Sequence, residues 1–174
     1  MITTSITLEE LLLARDQRRE KQIELLAKDK KATLICVTIV MPGSVKLNDK
    51  AIIIGESAKR EVEKAFNETA IYTLEEKKPT GYEFYLLTNQ PSLETKQICC
   101  SIEQTHPLGR LFDIDVIDQN HNIISREEVG YEKRKCLLCD NEARFCMRNH
   151  THTQDEILNH INLLVDNYLN NKEK

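Results

Sequence analysis

Two aspartates separated by one residue, Asp113 and Asp115, are the strongest sign of chemistry in this chain. They interrupt the run from Leu111 to Ile117, whose other members are apolar and typical of a β-strand. Side chains two apart on a strand project from the same face, so two such carboxylates repel unless a cation lies between them. Magnesium prefers oxygen ligands and leaves positions open for phosphates. The pair therefore predicts metal-assisted phosphoryl or nucleotidyl transfer, although many such pairs are only solvated strand positions.

A glycine and several cations are candidates for binding phosphate groups. Gly109 and Arg110 precede the aspartate strand, where glycine allows close approach of a ligand and the planar guanidinium suits phosphate oxygens. Lys46 follows a Pro-Gly turn, a kind of turn that also occurs without any ligand. Arg15 and Arg18 continue an apolar helical stripe, where arginines either line an anion site or extend to solvent.

A second group of residues has the composition of a zinc site. A Cys-x2-Cys pair is followed by a third thiol and two imidazoles, and three thiols with one imidazole form a common zinc ligand set. The candidate ligands are Cys136, Cys139, Cys146 and His150, with His152 as the alternative imidazole. The competing interpretation is that the cysteines are small buried hydrophobic residues. The surrounding segment, 133–152, is the most basic part of the chain and the expected docking surface for an anionic partner.

Length and composition limit the class of protein. A chain of 174 residues suits one domain with its own hydrophobic core. No apolar run is long enough to span a membrane and the first residues lack the pattern of a secretory signal, so we expect a cytoplasmic protein with free thiols. The formal net charge of −4 argues against general affinity for nucleic acids.

The elements expected around these candidates form a single α+β domain over 1–174, with a mixed sheet flanked by helices. Capping boxes and apolar periodicity predict helices over about 8–27, 57–68, 92–104 and 153–170. Strands are predicted over about 33–40, 70–74, 82–88 and 111–117, and a return strand over 123–126. The return strand would bring Arg126 near the two aspartates.

These blocks of sequence resemble the holo-citrate lyase synthase family, the apo-citrate lyase phosphoribosyl-dephospho-CoA transferases, over nearly the full length of the chain. The most distinctive blocks are Gly-Arg-Leu-Phe-Asp-x-Asp-Val at 109–116 and Arg-Lys-Cys-x-x-Cys at 134–139. Further matching positions are Arg15, Arg18, Gln22, Lys46, Glu103, His106, Arg126, Cys146, Arg148 and His152.

The resemblance implies transfer of the 5-phosphoribosyl-dephospho-CoA group from triphosphoribosyl-dephospho-CoA to a serine of the citrate lyase acyl-carrier (gamma) subunit, with release of pyrophosphate. On this interpretation Asp113 and Asp115 bind Mg2+. Glu103, His106 or one of the aspartates is the general base, unless His106 only caps its turn. The residues expected to contact substrate phosphates are Arg15, Arg18, Lys46, Gly109, Arg110 and Arg126.

Carrier proteins are usually acidic, so Arg134 and Arg148 in the basic segment are the expected docking residues. Two other functions stay open from the sequence. One is the same chemistry on a different carrier, such as that of malonate decarboxylase. The other is a non-enzymatic interaction module stabilised by zinc. The predicted architecture also loosely resembles the nucleotidyltransferase fold, in which a glycine-containing turn precedes a strand with this aspartate spacing.

Overall fold

The computed structural model describes residues 4–172, and these form an α+β domain as predicted. The helices are α1 (Leu8–Leu26), α2 (Asp49–Ala65), α3 (Ser92–Thr105), α4 (Ala143–Asn149) and α5 (Gln154–Lys172). The strands are β1 (Thr33–Ile39), β2 (Ala70–Lys78), β3 (Gly81–Thr88) and β4 (Phe112–Ile117). The ends of the predicted 1–174 domain, 1–3 and 173–174, lie outside the described residues.

The four strands form one sheet in the order β2-β3-β1-β4, and every pairing is antiparallel. This corrects the expectation of a mixed sheet. The strands β3 and β4 run in the same direction, but β1 lies between them, so they do not pair. In the register of the sheet, Cys36 lies opposite both Tyr85 and Asp115, and Thr38 lies opposite Asp113.

The two faces of the sheet carry different cores. The larger core, which includes Ile35, Phe84 and Ile114, lies between one face and helices α2, α3 and α5. The smaller core lies on the other face, where Leu25 at the end of α1 packs in the cluster that contains Leu34. Because side chains alternate along β4, Phe112, Ile114 and Val116 enter the larger core. The two aspartates face the side of α1, together with Ile117, which packs in the smaller core.

Local signals explain where most helices begin. The predicted capping box of α1 is present, since Thr7 Oγ1 accepts from the backbone N–H of Glu10 and the Glu10 carboxylate accepts from that of Thr7. Helix α2 begins at Asp49, well before the predicted 57, and Asn48 caps it. Packing decides this extension, because Gly55 lies so close to the ring of Tyr82 that a Cβ would approach within 2.3 Å.

The predicted return strand at 123–126 is reduced to one β-bridge, Ile117 with Ile123, and one hydrogen bond of 2.9 Å from Ile124 N to the carbonyl of Val116. The chain then turns away, so Arg126 does not join the aspartates as expected. Instead it forms an ion pair with Glu103. Within the described residues, we find no helix with the length and apolar character needed to cross a membrane.

Candidate functional site

Asp113 and Asp115 lie on the sheet face next to α1, Asp113 exposed and Asp115 partly buried. The hydroxyl of Thr38, on the neighbouring strand, lies 3.4 Å from a carboxylate oxygen of Asp113. Burial raises the pKa of Asp115, and the negative charge of Asp113 raises it further. A cation bound between the two carboxylates would offset both effects.

An open groove of about 640 Å³ lies between α1 and the end of β4. One wall carries three arginines of α1, and Asp115 lines the groove from the sheet side. The lining residues are Arg15, Arg18, Arg19, Gln22, Asp115, His121, Asn122 and Ile123. An arginine-rich wall facing a carboxylate suits a phosphorylated ligand held together with a metal ion.

Arg18 is fixed at this groove by a buried carboxylate. Its Nε donates to Glu83 Oε1 at 2.9 Å, and Glu83 also accepts from the hydroxyl of Tyr85 at 2.6 Å. Lys78 lies 3.3 Å from the second oxygen of Glu83. Burial opposes the charge of Arg18, but the Glu83 carboxylate outweighs it and raises the arginine's pKa. Arg18 is therefore held in place and keeps its charge at the groove.

Lys46 adds a cation beside α1. Its Nζ donates to the carbonyl of Met41 at 2.7 Å, which fixes the lysine within the turn that follows β1. Partial burial lowers the pKa of Lys46, and the charge of Arg15 lowers it further, so the two cations are close enough to repel. Two cations placed this close together favour an anion between them. The structure thus brings Arg15, Arg18 and Lys46 to the same side of the sheet.

Glu103, a candidate base, instead binds the outer edge of β4. This residue is 4% exposed, accepts from the backbone N–H of Ile114 at 3.0 Å, and is paired with both Arg126 and Arg134. Lys96, also on α3, donates to the carbonyl of Ile114 at 2.9 Å. These side chains satisfy backbone groups that an edge strand would otherwise leave unpaired. Glu103 therefore connects α3 and two arginines to the edge strand that carries the aspartates.

Arg134, which the sequence analysis named as a docking residue, belongs to this arrangement. Its Nη1 donates to the carbonyl of Phe112 at 2.7 Å, and its Nη2 donates to Glu103 at 2.6 Å. The same Nη2 lies 3.8 Å from a carboxylate oxygen of Asp113. The structure therefore adds a cation next to the aspartate pair.

His106 caps its own turn, as the alternative interpretation of this residue held. Its Nδ1 accepts from the backbone N–H of Leu108 at 3.0 Å, and its ring lies 4.9 Å from that of Phe112 and 5.3 Å from that of Tyr168. Burial lowers its pKa, which favours the neutral ring. Because Phe112 faces the larger core, His106 lies on the opposite face of the sheet from the two aspartates.

Gly109 and Arg110 make close contacts with neighbouring parts of the chain. A Cβ on Gly109 would approach the carbonyl oxygen of Glu103 within 2.4 Å, so the glycine permits close contact between its turn and α3. Arg110 donates through Nη2 to the carbonyls of Lys135 and Cys136, at 2.8 and 2.7 Å. It thus holds the start of the Cys-x2-Cys segment against the turn before β4.

Three thiols and one imidazole converge beyond Arg110, and we call them the thiol–imidazole cluster. Its members are Cys136, Cys139, Cys146 and His152. Their ligand atoms all lie within 4.8 Å of one another, so the cluster could hold a metal ion. The imidazole of the cluster belongs to His152, the alternative ligand, and not to His150 as first expected. His150 is exposed and ends α4 with a φ of 47°.

Sequence reasoning missed several residues of the site. Glu83 is a charged residue in the mostly apolar strand β3, the same signal that singled out the aspartates. Lys96 lies on α3 among other polar residues, so its sequence carried no such signal. His121 reaches the groove from a tight turn in which the Asp118 carboxylate accepts from the backbone of Asn120 and Asn122, both at 2.8 Å. The residues at 119–122 are typical of a turn, but nothing local indicated which element this turn would face.

Comparison with known proteins agrees with the sequence resemblance. The family model of apo-citrate lyase phosphoribosyl-dephospho-CoA transferase matches residues 6–168. A probable transferase of that name from Vibrio cholerae serotype O1 (strain M66-2) is 35% identical over 170 residues, 94% of each chain. One from Streptococcus pyogenes serotype M3 is 32% identical over 170 residues, 95% of this chain and 88% of the relative. This chain therefore belongs to the apo-citrate lyase phosphoribosyl-dephospho-CoA transferase family.

Proposed function

We propose that this protein transfers the 5-phosphoribosyl-dephospho-CoA group from triphosphoribosyl-dephospho-CoA to a serine of the citrate lyase acyl-carrier subunit, with release of pyrophosphate. One observation carries the proposal: in a chain of this family, Asp115 of the aspartate pair lines a groove whose opposite wall carries three arginines. The names of its relatives give the transferred group and apo-citrate lyase as the acceptor, and the sequence resemblance implies the carrier subunit and its serine. The groove supplies charges suited to a triphosphate.

The triphosphate is bound by cations from two elements. Arg15 and Arg18 of α1, with Lys46 from the turn after β1, contact phosphate oxygens. Asp113 and Asp115 would hold Mg2+, which supplies charge neutralisation for the pyrophosphate leaving group. The ion pair between Arg18 and Glu83 fixes the guanidinium of Arg18 before the substrate binds, so little conformational entropy of this side chain is lost on binding.

Asp115 accepts the proton of the serine. In the reaction the serine oxygen bonds to the innermost phosphorus of the triphosphate, the bond to pyrophosphate breaks, and the proton passes to a carboxylate oxygen. Of the two aspartates, Asp115 is the one that lines the groove, so its carboxylate is the one placed to reach the serine hydroxyl. Glu103 is occupied by two arginines and His106 lies on the other face of the sheet, so neither serves.

The acyl-carrier subunit docks on the basic segment at 133–152. Five basic residues in this segment outnumber two acidic ones, which favours an acidic partner. On α4, Arg144 and Arg148 are exposed, as are the apolar side chains of Phe145 and Met147. An exposed basic and apolar helix of this kind provides both steering and contact area. Arg134 is bound to Glu103 and supports the aspartate pair. The carrier therefore contacts Arg148 and Arg144 on α4.

The decisive experiment is mass spectrometry of the apo carrier subunit after incubation with this protein, the triphosphate precursor and magnesium. We expect a mass increase equal to the prosthetic group, on one serine, with one pyrophosphate released per carrier. Asp113→Asn should abolish the increase, and the matched variant Asp155→Asn, an exposed aspartate of α5, should not. An unmodified carrier would overturn the proposal. If only the carrier of malonate decarboxylase were modified, that carrier would be the acceptor and the citrate lyase subunit would not.

A further inference from the structure

We propose that the thiol–imidazole cluster binds one Zn2+ and that this ion holds Arg134 beside Asp113. The assignment of the metal rests on the cluster itself. The link to catalysis rests also on the proposed function.

The spacing of the ligand atoms fits one tetrahedral ion. Zinc lies about 2.3 Å from sulfur and about 2.0–2.1 Å from nitrogen, which separates neighbouring ligand atoms by about 3.5–3.8 Å. The Sγ atoms of Cys139 and Cys146 are 3.5 Å apart, and Cys139 Sγ is 3.3 Å from Nε2 of His152. All four ligand atoms lie within 4.8 Å of one another. Small movements would place an ion at bonding distance from each.

The chemistry of the donors selects zinc and a structural role. Thiolates with an imidazole favour zinc over magnesium or calcium, which prefer oxygen. Four protein ligands leave no open position for a substrate, as in structural zinc sites. The backbone N–H of Leu138 lies 3.5 Å from Cys136 Sγ, an interaction that orients a thiolate ligand. Cys136 and Cys139 are only partly buried, which argues against hydrophobic packing as their role.

The segment that carries the cluster has almost no hydrophobic core of its own. Between the end of β4 and the start of α5, Ile124 and Cys146 are the only hydrophobic side chains classed as buried in this described part of the chain. Phe145 and Met147 are 53% and 72% exposed. A segment this poor in buried apolar surface needs another source of stability, which a metal provides in small folds.

Short backbone contacts connect the cluster to Arg134. The backbone N–H of Cys136 donates to the carbonyl of Asn141 at 2.7 Å, and that of Ala143 donates to the carbonyl of Arg134 at 2.8 Å. Arg134 then contacts Asp113, and Arg110 holds the carbonyl of Cys136. An ion bound at the cluster would therefore restrain Arg134. Its loss would loosen the backbone of Arg134 and leave the guanidinium to depend on its bonds to Glu103 and to the Phe112 carbonyl, while the aspartate pair itself stays in place.

The test begins with metal content in the full-length protein. We expect about one zinc ion per chain when the metal content is measured by elemental mass spectrometry. Protein loaded with cobalt in place of zinc should show the visible absorption bands of a tetrahedral thiolate site. Cys139→Ser and His152→Ala should each lose the metal, whereas His152→Cys should keep it as a four-thiolate site. His150→Ala is the matched control and should retain full occupancy.

Three results would overturn the zinc site. They are the absence of tightly bound zinc or cobalt after reconstitution of the reduced protein, a disulfide between Cys139 and Cys146 in place of the metal, or loss of metal in His150→Ala but not in His152→Ala.

The link to Arg134 is tested with a zinc-selective chelator in excess magnesium. We expect faster backbone hydrogen exchange over 126–152 and at least about a tenfold loss of transfer, restored by zinc. Unchanged exchange and activity would overturn the link. A zinc-loaded protein that never modifies a carrier would instead refute the proposed function.

Discussion

The guanidinium of Arg134 lies 3.8 Å from the carboxylate of Asp113, from a position 21 residues later in the chain. The arginine is held there by Glu103, which also accepts from the backbone of Ile114 within β4. The edge strand that carries the aspartate pair is therefore tied to α3 and to the thiol–imidazole cluster through side chains. Each tie can be broken separately.

Glu103→Ala tests the positioning role of this carboxylate. The substitution leaves Arg126 and Arg134 without their partner and exposes an unpaired backbone N–H, so we expect a loss of about 3–5 kcal/mol in the free energy of unfolding. Urea denaturation measures it. Gln104→Ala, an exposed position on the same helix, is the control. If Glu103 were the base, activity would disappear with stability intact.

Asp115→Asn should lower the rate of transfer by at least about a hundredfold. The same substitution should stabilise the metal-free protein at pH 7. The pKa of Asp115 is raised above its ordinary value of 3.8, so its charged form is less favourable in the folded state. This penalty is complete above the folded-state pKa and vanishes below 3.8. The gain in Tm should therefore shrink as the pH is lowered from 7 towards 4. A gain independent of pH would exclude this origin.

Arg15→Gln should weaken phosphate binding without changing the stability of the fold, because Arg15 is exposed at the groove. We expect the KM for the triphosphate precursor to rise about tenfold or more, as for the loss of a charged hydrogen bond. The free energy of unfolding should change by no more than about 0.5 kcal/mol. Steady-state kinetics at fixed carrier concentration measure the effect, with Lys30→Gln as the control on an exposed lysine. An unchanged KM would place the triphosphate elsewhere.

Arg148→Glu tests the docking surface for the carrier. Reversal of an exposed charge on α4 should weaken carrier affinity about three- to tenfold at low ionic strength, and the difference should fade as salt is added. The KM for the triphosphate precursor should stay the same. Affinity can be followed by titration of apo carrier at several salt concentrations, with Lys30→Glu as the control for net charge. Equal effects of both variants would contradict a specific docking site.

The sequence by itself determined the features that depend on neighbouring residues. Strand alternation was enough to predict that Asp113 and Asp115 share a face, and the α+β class followed from the periodicity of its helices and strands. The capping boxes predicted where α1 and α5 begin, since capping contacts reach only three residues along the chain.

Only the tertiary structure decided which charges meet. Arg18 and Glu83 are 65 positions apart, and Arg134 and Glu103 are 31 apart, so their pairing depends on strand order and on the side of the sheet that each helix covers. The choice of His152 over His150 has the same origin, because a left-handed residue ends α4 and redirects the chain. Residue type and spacing thus indicated the chemistry, and long-range packing assigned each charge its partner.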